Sequence, residues 1–351
     1  MQVNVDIFGQ VNNQQVDLIT IQNSRQTSIQ ITNYGCIVTS IKTEDRNHHI
    51  DDIVLGYESL DKYVQGHPFF GAIAGRFANR INNGRFSIDG KLYQLECNEV
   101  TTNQHLHGGN KGFDKYVWAY DIEENTDKIM VHFHRVSVDN ESGYPGNLFV
   151  THSIGLDENN QIYYDFRAIT DKPTIVNLAN HSYYNLSGYN HSSIVDHELK
   201  VFSDFYTPVN GKLIPTGEIL SVSGTHLDFR EFAKIGDNMR KHPTGEIDHN
   251  FILKGEMFNK DYKFAAELYD PNSGRCMTVI TTQPALQIYN GSKLSNKCWI
   301  GRNGFRYESF QGICFETQHY PDSPNFVHFP SCLLKPNHVY EQKTIHKLAV
   351  R

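Results

Sequence analysis

Apolar and polar residues alternate with a period of two along most of this 351-residue chain. Successive side chains of a strand point to opposite faces, so this period predicts half-buried β-strands. In KIMVHFHRV, residues 128–136, Ile129, Val131 and Phe133 share one face, and His132 and His134 share the other. In QIYYDFRAI, residues 161–169, one face carries Ile162, Tyr164, Phe166 and Ala168. Similar runs at 36–42, 147–155, 174–184, 262–269, 275–282 and 312–318 predict further strands. Between them lie turn residues. RFSIDGKLYQL places Asp89-Gly90 between two strand-like runs, the strongest short hairpin signal. Only residues 59–64 and 229–239 read as helical. There is no βαβ alternation, no Pro/Ser-rich linker and no internal repeat. The pattern predicts one large antiparallel all-β domain over residues 1–351, with few short helices. Such a domain packs sheet on sheet or closes on itself, leaving a broad face or mouth lined by alternate residues.

Charge and composition narrow the function. The 32 Lys and Arg stand against 39 Asp and Glu, a net of -7, and no basic block appears. The electrostatic footprint of a nucleic-acid binder is therefore missing, and neutral substrates stay open. The opening MQVNVDIFGQ has no basic segment followed by an apolar one, and no run of 18 apolar residues occurs. The six cysteines lie no closer than 16 positions apart (Cys298 and Cys314), which removes zinc knuckles and thioredoxin motifs. They read as buried free thiols of a cytoplasmic protein.

Eighteen histidines invite a metal. The spacings His105/His107 and His132/His134 would let a strand share one ion, but no HExxH and no acidic or Cys ligand spacing supports it. The expectation is no metal, with His132 and His134 on a polar strand face. No GxSxG elbow and no phosphate loop occurs either. Acid–base chemistry by His and carboxylates remains. GRFANRINNGRF carries Asn79, Arg76 and Arg80, and HLHGGNKGFDK carries His107 before a glycine pair. IVNLANHSYYNLSG, read as a strand, puts Asn177, Ala179, His181 and Tyr183 on one face. GICFETQ sets Glu316 in an apolar strand, where burial would raise its pKa toward the useful range of a base. Asp248 and Gln287 supply an acceptor and an amide suited to vicinal hydroxyls.

Together these segments resemble the aldose 1-epimerases, also called galactose mutarotases. The resemblance runs in order through NYGCIVTSI, DDIVLGYESLDKY, GRFANRI, HLHGGNKGFDK, GYPGNL, NHSYYNLSG, DHNFIL, TTQPALQIYNG, ETQHYPDSPN and FPSCLLKPNHVYEQKT. It implies a β-supersandwich and a cofactor-free interconversion of the α and β anomers of galactose or glucose. It implies His181 as general acid and Glu316 as general base. Asn79, Arg80, His107, Tyr183, Asp248 and Gln287 become the sugar-binding set. The partner is then a small-molecule hexose, with no nucleic acid and no membrane, and the protein a monomer or homodimer. Residues 292–311 match no family segment. Their Lys293, Lys297, Arg302 and Arg306 leave a hexose-phosphate mutarotase as an alternative. A non-catalytic sugar-binding protein and a glycosidase using Asp248 with Glu316 are the other rivals.

Overall fold

The computed structural model describes residues 1–190 and 193–351. His191, for which the sequence suggested no role, lies outside the described residues. The period-two pattern is met by strands in antiparallel sheets. The largest has nine strands, in the order Ala119–Glu124, Lys128–Ser137, Leu148–Asp157, Gln161–Thr170, Tyr340–Val350, Arg275–Thr281, Lys263–Tyr269, Glu198–Val201 and Ala233–Lys234. The C-terminal strand lies in its middle. Ile345 pairs with Tyr163 on one side and Ile280 on the other, which joins the two halves of the sheet. A six-stranded sheet runs Tyr183–Tyr184, Ile313–Gln318, Ala285–Tyr289, Asp248–Leu253, Ser203–Thr207, Leu220–Ser221. The N-terminal 52 residues form a five-stranded meander whose first hairpin, Gln2–Val11 with Gln14–Gln22, the pattern did not single out.

Alternate residues build the core as predicted. Ile129, Val131 and Phe133 are buried together with Ile162, Tyr164, Phe166 and Ala168 in one apolar cluster that also takes in Val279, Leu286 and Phe315. His132 and His134 face outward, beside Glu123 at 3.1 Å and Asp121 at 2.6 Å. The Asp89-Gly90 hairpin forms, with Ser87 opposite Leu92.

Three local expectations are corrected. Residues 174–184 are not one strand. Thr174–Ile175, Ala179–Asn180 and Tyr183–Tyr184 pair with three different partners. The backbone between them bonds elsewhere, His181 N–H to Ala72 O at 2.9 Å and Asn177 N–H to Arg76 O at 2.9 Å. The helix expected at 229–239 shrinks to Ile235–Met239, because Ala233–Lys234 joins the nine-stranded sheet. The cysteines are free, but Cys298 is exposed and Cys97 half-buried.

Many of the histidines are structural. His152 stacks on Phe166 at 3.9 Å, His346 bonds Tyr184 OH at 2.6 Å, and His105 sits between Glu96 O and Tyr144 OH. Burial pushes His152, His105 and His319 down to about 4 and His346 to about 3. The unfolded chain binds protons on these groups below about pH 6.5 and the folded chain refuses them until about pH 4, so stability is lost as pH falls through that window. Buried carboxyls pushed up, such as Asp165 and Asp322 at about 6, act in the opposite direction but are fewer. Urea midpoints should therefore fall steadily from about pH 7 to about pH 4.5; a flat midpoint across that range would contradict buried neutral imidazoles.

Candidate active site

The six-stranded sheet carries the site through its register. Glu316 lies opposite Gln287, and Gln287 opposite Asn250. Two residues along, Tyr183 lies opposite Cys314, Cys314 opposite Tyr289, and Tyr289 opposite Asp248. Residues two apart share a face, so these rows project toward one side of the sheet. The register that pairs Tyr183 with Cys314, carried two residues back, sets His181 opposite Glu316. Their side chains meet, with His181 Nε2 3.5 Å from Glu316 Oε1.

A second unit closes over this row. Arg80–Ile81 pairs with His105–Leu106, Leu106 opposite Arg80. Asn79 and His107 flank the pair with φ of 66° and 50°. His107 N–H donates to Asn79 O at 3.2 Å, and Asn79 N–H donates to His107 Nδ1 at 3.1 Å. An Nδ1 that accepts leaves the proton of a neutral imidazole on Nε2. His107 is thereby a fixed hydrogen-bond donor. Gly108 follows at φ 94°, and a Cβ there would lie 1.7 Å from Gly75 O. Only glycine admits that approach.

These side chains line a cleft of about 220 Å³ with Phe69, Leu106, Tyr289, Lys293 and Glu99. That is smaller than the roughly 300–1,000 Å³ of pockets for drug-sized ligands and suits one sugar ring. A larger cavity, about 480 Å³, lies beside Arg302 and Asp52. Its buried charges already neutralise each other at 3.3 Å, and it holds no acid–base pair.

The sequence-based candidates converge, and two of them also have a polar atom engaged within the protein. Asn79, Arg80, His107, His181, Tyr183, Asp248 and Glu316 all line the cleft. Tyr183 presents its ring, 5.1 Å from that of His181, because its hydroxyl donates to Pro68 O at 2.9 Å. Gln287, beside Glu316 in its row, donates to Asp248 Oδ1 at 2.6 Å and so orients the carboxylate. The HxH pair of His105 and His107 is split, since His105 turns into the core and His107 into the cleft. Phe69, Tyr289 and Glu99 carried no signal in sequence; each is an ordinary residue of a loop or strand until the fold brings it to the cleft. Lys293 lay in the unmatched segment. It pairs with Glu246 at 2.7 Å and stands 3.9 Å from Asp248.

Electrostatics set the chemistry. Burial, then the neighbouring Asp248 charge, push Glu316 well above the usual carboxyl range, while Arg80 pulls it back. Its Oε2 has no hydrogen-bond partner among the described residues. Burial lowers His181 to about 4, opposed by its own backbone and by Asp248. Burial, then the charges of His181 and Arg80, hold His107 well below its ordinary value. His107, His181 and Glu316 place one ligand atom each within 4.8 Å of one another, a spacing a divalent ion would accept. The proton that Asn79 fixes on His107 Nε2 fits a hydrogen-bond donor rather than a metal ligand.

An antiparallel all-β scaffold that presents a desolvated His–Glu pair in a small cleft of aromatic and polar side chains is built for proton transfer to and from a small molecule. Comparison with known proteins specifies the family. The family model for aldose 1-epimerase matches residues 17–347. Galactose mutarotase of Bos taurus is 42% identical over 327 residues, covering 93% of this chain and 92% of that protein. Aldose 1-epimerase of Escherichia coli is 34% identical over 336 residues, covering 93% of each. The crystal structure of galactose 1-epimerase from Lactobacillus acidophilus superposes with a TM-score of 0.87 at 27% identity, over 99% of both chains. The chain belongs to the aldose 1-epimerase family, a family of isomerases that interconvert hexose anomers.

The close approach at Gly108 yields a test. Gly108→Ala should cost about 1–3 kcal/mol in backbone strain alone, with the clash against Gly75 added, and should displace His107. A melting temperature and galactose affinity equal to wild type would contradict the described turn.

Proposed function

We propose that this protein interconverts the α and β anomers of a free hexose, galactose or glucose, with Glu316 and His181 as the proton-transfer pair. The observation that carries the assignment is the 3.5 Å approach of His181 Nε2 to Glu316 Oε1 inside the cleft. Glu316 accepts the proton of the C1 hydroxyl while His181 delivers one to the ring oxygen. The bond between C1 and the ring oxygen breaks and an aldehyde forms. Rotation about C1–C2 turns the other carbonyl face toward the ring hydroxyl. The same groups then act in reverse, and both return to their starting protonation.

The pair needs one proton in total, and the surroundings support both of its placements. Burial favours the neutral arrangement, a protonated Glu316 beside a neutral His181. Arg80 favours the carboxylate, and so the ionic arrangement that starts the reaction, while Asp248 strengthens the hold of both Glu316 and His181 on the proton. A bound sugar that donates from C1 and accepts at its ring oxygen tips the same balance. His107, donating from Nε2, suits the ring side, and Arg80 and Asp248 suit the outer hydroxyls. None of them needs to hold C1, which must rotate.

The basic residues of 292–311 do not favour a phosphorylated substrate. Arg302 is paired with buried Asp52, Arg306 with Glu308 at 2.8 Å, and Lys297 lies over Trp299. Lys293 alone among them lines the cleft, and its charge is taken by Glu246.

Polarimetry of freshly dissolved α-galactose should show Glu316→Gln and His181→Asn each lowering kcat by about 10²-fold or more. Near-wild-type rates in either variant would sink that role. The pH profile of kcat/KM should be bell-shaped, because it reports the free enzyme. Its acid limb should lie near pH 4, where His181 takes the second proton, rather than near the ordinary imidazole value. An acid limb near about pH 6.5 would mean that His181 is not desolvated as described.

A further inference from the structure

We propose that Glu99 is a positioning residue for Arg80, whose carboxylate fixes the guanidinium and tempers the positive charge it presents to Glu316. The proposal rests on the reading of the cleft as a sugar site. Glu99 lies in a loop that carried no signal in sequence, yet it lines the cleft beside Arg80.

The contact is two-pronged. Arg80 Nε donates to Glu99 Oε2 at 2.9 Å and Arg80 Nη2 to Glu99 Oε1 at 2.6 Å. Two parallel bonds fix the plane of a guanidinium, which one bond would leave free to turn. Nη1, the remaining nitrogen, makes no hydrogen bond among the described residues, so it is the edge left for a ligand. Glu99 is itself held. Thr102 Oγ1 donates to its Oε2. Its backbone exchanges bonds with Gln104, Glu99 N–H to Gln104 O at 3.0 Å and Gln104 N–H to Glu99 O at 3.2 Å. The adjacent Asn98 clasps the backbone of Leu106, the residue opposite Arg80, at 2.8 and 2.9 Å. The loop is thus fastened to the strand pair that carries the guanidinium it holds.

The electrostatic part follows. Burial raises Glu99, but the hydrogen bond and charge of Arg80 and the Thr102 hydroxyl outweigh it, so the carboxylate stays ionised. Arg80 is the cation that draws Glu316 down. A fixed anion paired with the guanidinium weakens that pull. Without it, Glu316 would hold its proton less tightly, and the one-proton form of the His181–Glu316 pair would end at lower pH.

The test compares wild type with Glu99→Gln, Glu99→Asp, Glu99→Ala and Thr102→Val, by galactose mutarotation kinetics across pH and by calorimetry of galactose binding. Glu99→Gln keeps the shape and removes the charge, and should move the basic limb of kcat/KM to lower pH. Glu99→Asp keeps the charge and should return that limb toward wild type. Glu99→Ala frees the guanidinium and should lower kcat/KM about 10–100-fold, mostly through KM. Thr102→Val should shift KM in the same direction by less. If Glu99→Ala does not fold, the Gln and Asp variants still decide through the limb. A limb that stays put in Glu99→Gln, with an unchanged KM in Thr102→Val, overturns the role of Glu99 in an active enzyme. A wild-type protein that neither turns over nor binds galactose or glucose overturns the sugar-site reading and this one with it.

Discussion

The antiparallel register of the six-stranded sheet is the constraint on which the site depends. Strand Ile313–Gln318 lies between Tyr183–Tyr184 and Ala285–Tyr289, and the next strand outward is Asp248–Leu253. Because cross-strand neighbours are fixed by hydrogen bonding, the sheet side chains that Glu316 meets are those of its row. That row delivers Gln287 on one side and, past the end of the short strand, His181 on the other. A slip of one residue would turn Glu316 to the opposite face of the sheet and Phe315 into the cleft. The packing of Phe315 in the main apolar cluster opposes that slip, so core burial and catalytic placement are two faces of one register.

Burial then supplies the chemistry. A carboxyl and an imidazole in water would both be charged or not according to their own affinities. Removed from water, each resists its charge: Glu316 keeps its proton to higher pH and His181 gives its proton up at lower pH. Arg80 favours the carboxylate form of Glu316, and Asp248 raises the proton affinity of both groups. The cations and anions around the pair are themselves tied to partners, Arg80 to Glu99, Asp248 to Gln287 and Lys293 to Glu246. Such fixed dipoles and charges do not have to reorient when the reaction begins, which is where an enclosed site differs from solvent.

The same desolvation acts far from the cleft. His152 and His346 are neutral core residues, one stacked on an aromatic ring and one bonded to a tyrosine hydroxyl. Their depressed proton affinity has the same cause as that of His181, yet they have no cleft and no carboxylate opposite. A lowered imidazole pKa in this protein therefore marks burial. What distinguishes His181 is the geometry of its Nε2, and what distinguishes His107 is the backbone N–H that fixes its proton.

Side-chain alternation is a local property, and it was enough to read the all-β class, the faces of strands such as Lys128–Ser137 and Gln161–Thr170, and the Asp89-Gly90 turn. The chemistry of His181, Glu316, Asn79, Arg80, His107 and Asp248 could also be nominated from sequence, because such groups stand out in apolar or glycine-rich settings and their order resembles that of a family. Long-range pairing was not legible. The segment 174–184 alternates like one strand but divides among three partners, since its backbone groups bond to segments about a hundred positions away or more. Glu99 and Phe69 had no local signature, Lys293 stood out only as a charge in an unmatched segment, and the internal bonds of Tyr183 and Gln287 needed neighbours that only the fold supplies. Local alternation and side-chain chemistry settled the faces of the regular strands and which groups can carry protons. Only the tertiary structure decided which of them meet, because hydrogen-bond register between distant strands sets their separation, and exclusion of water sets the charge they then hold.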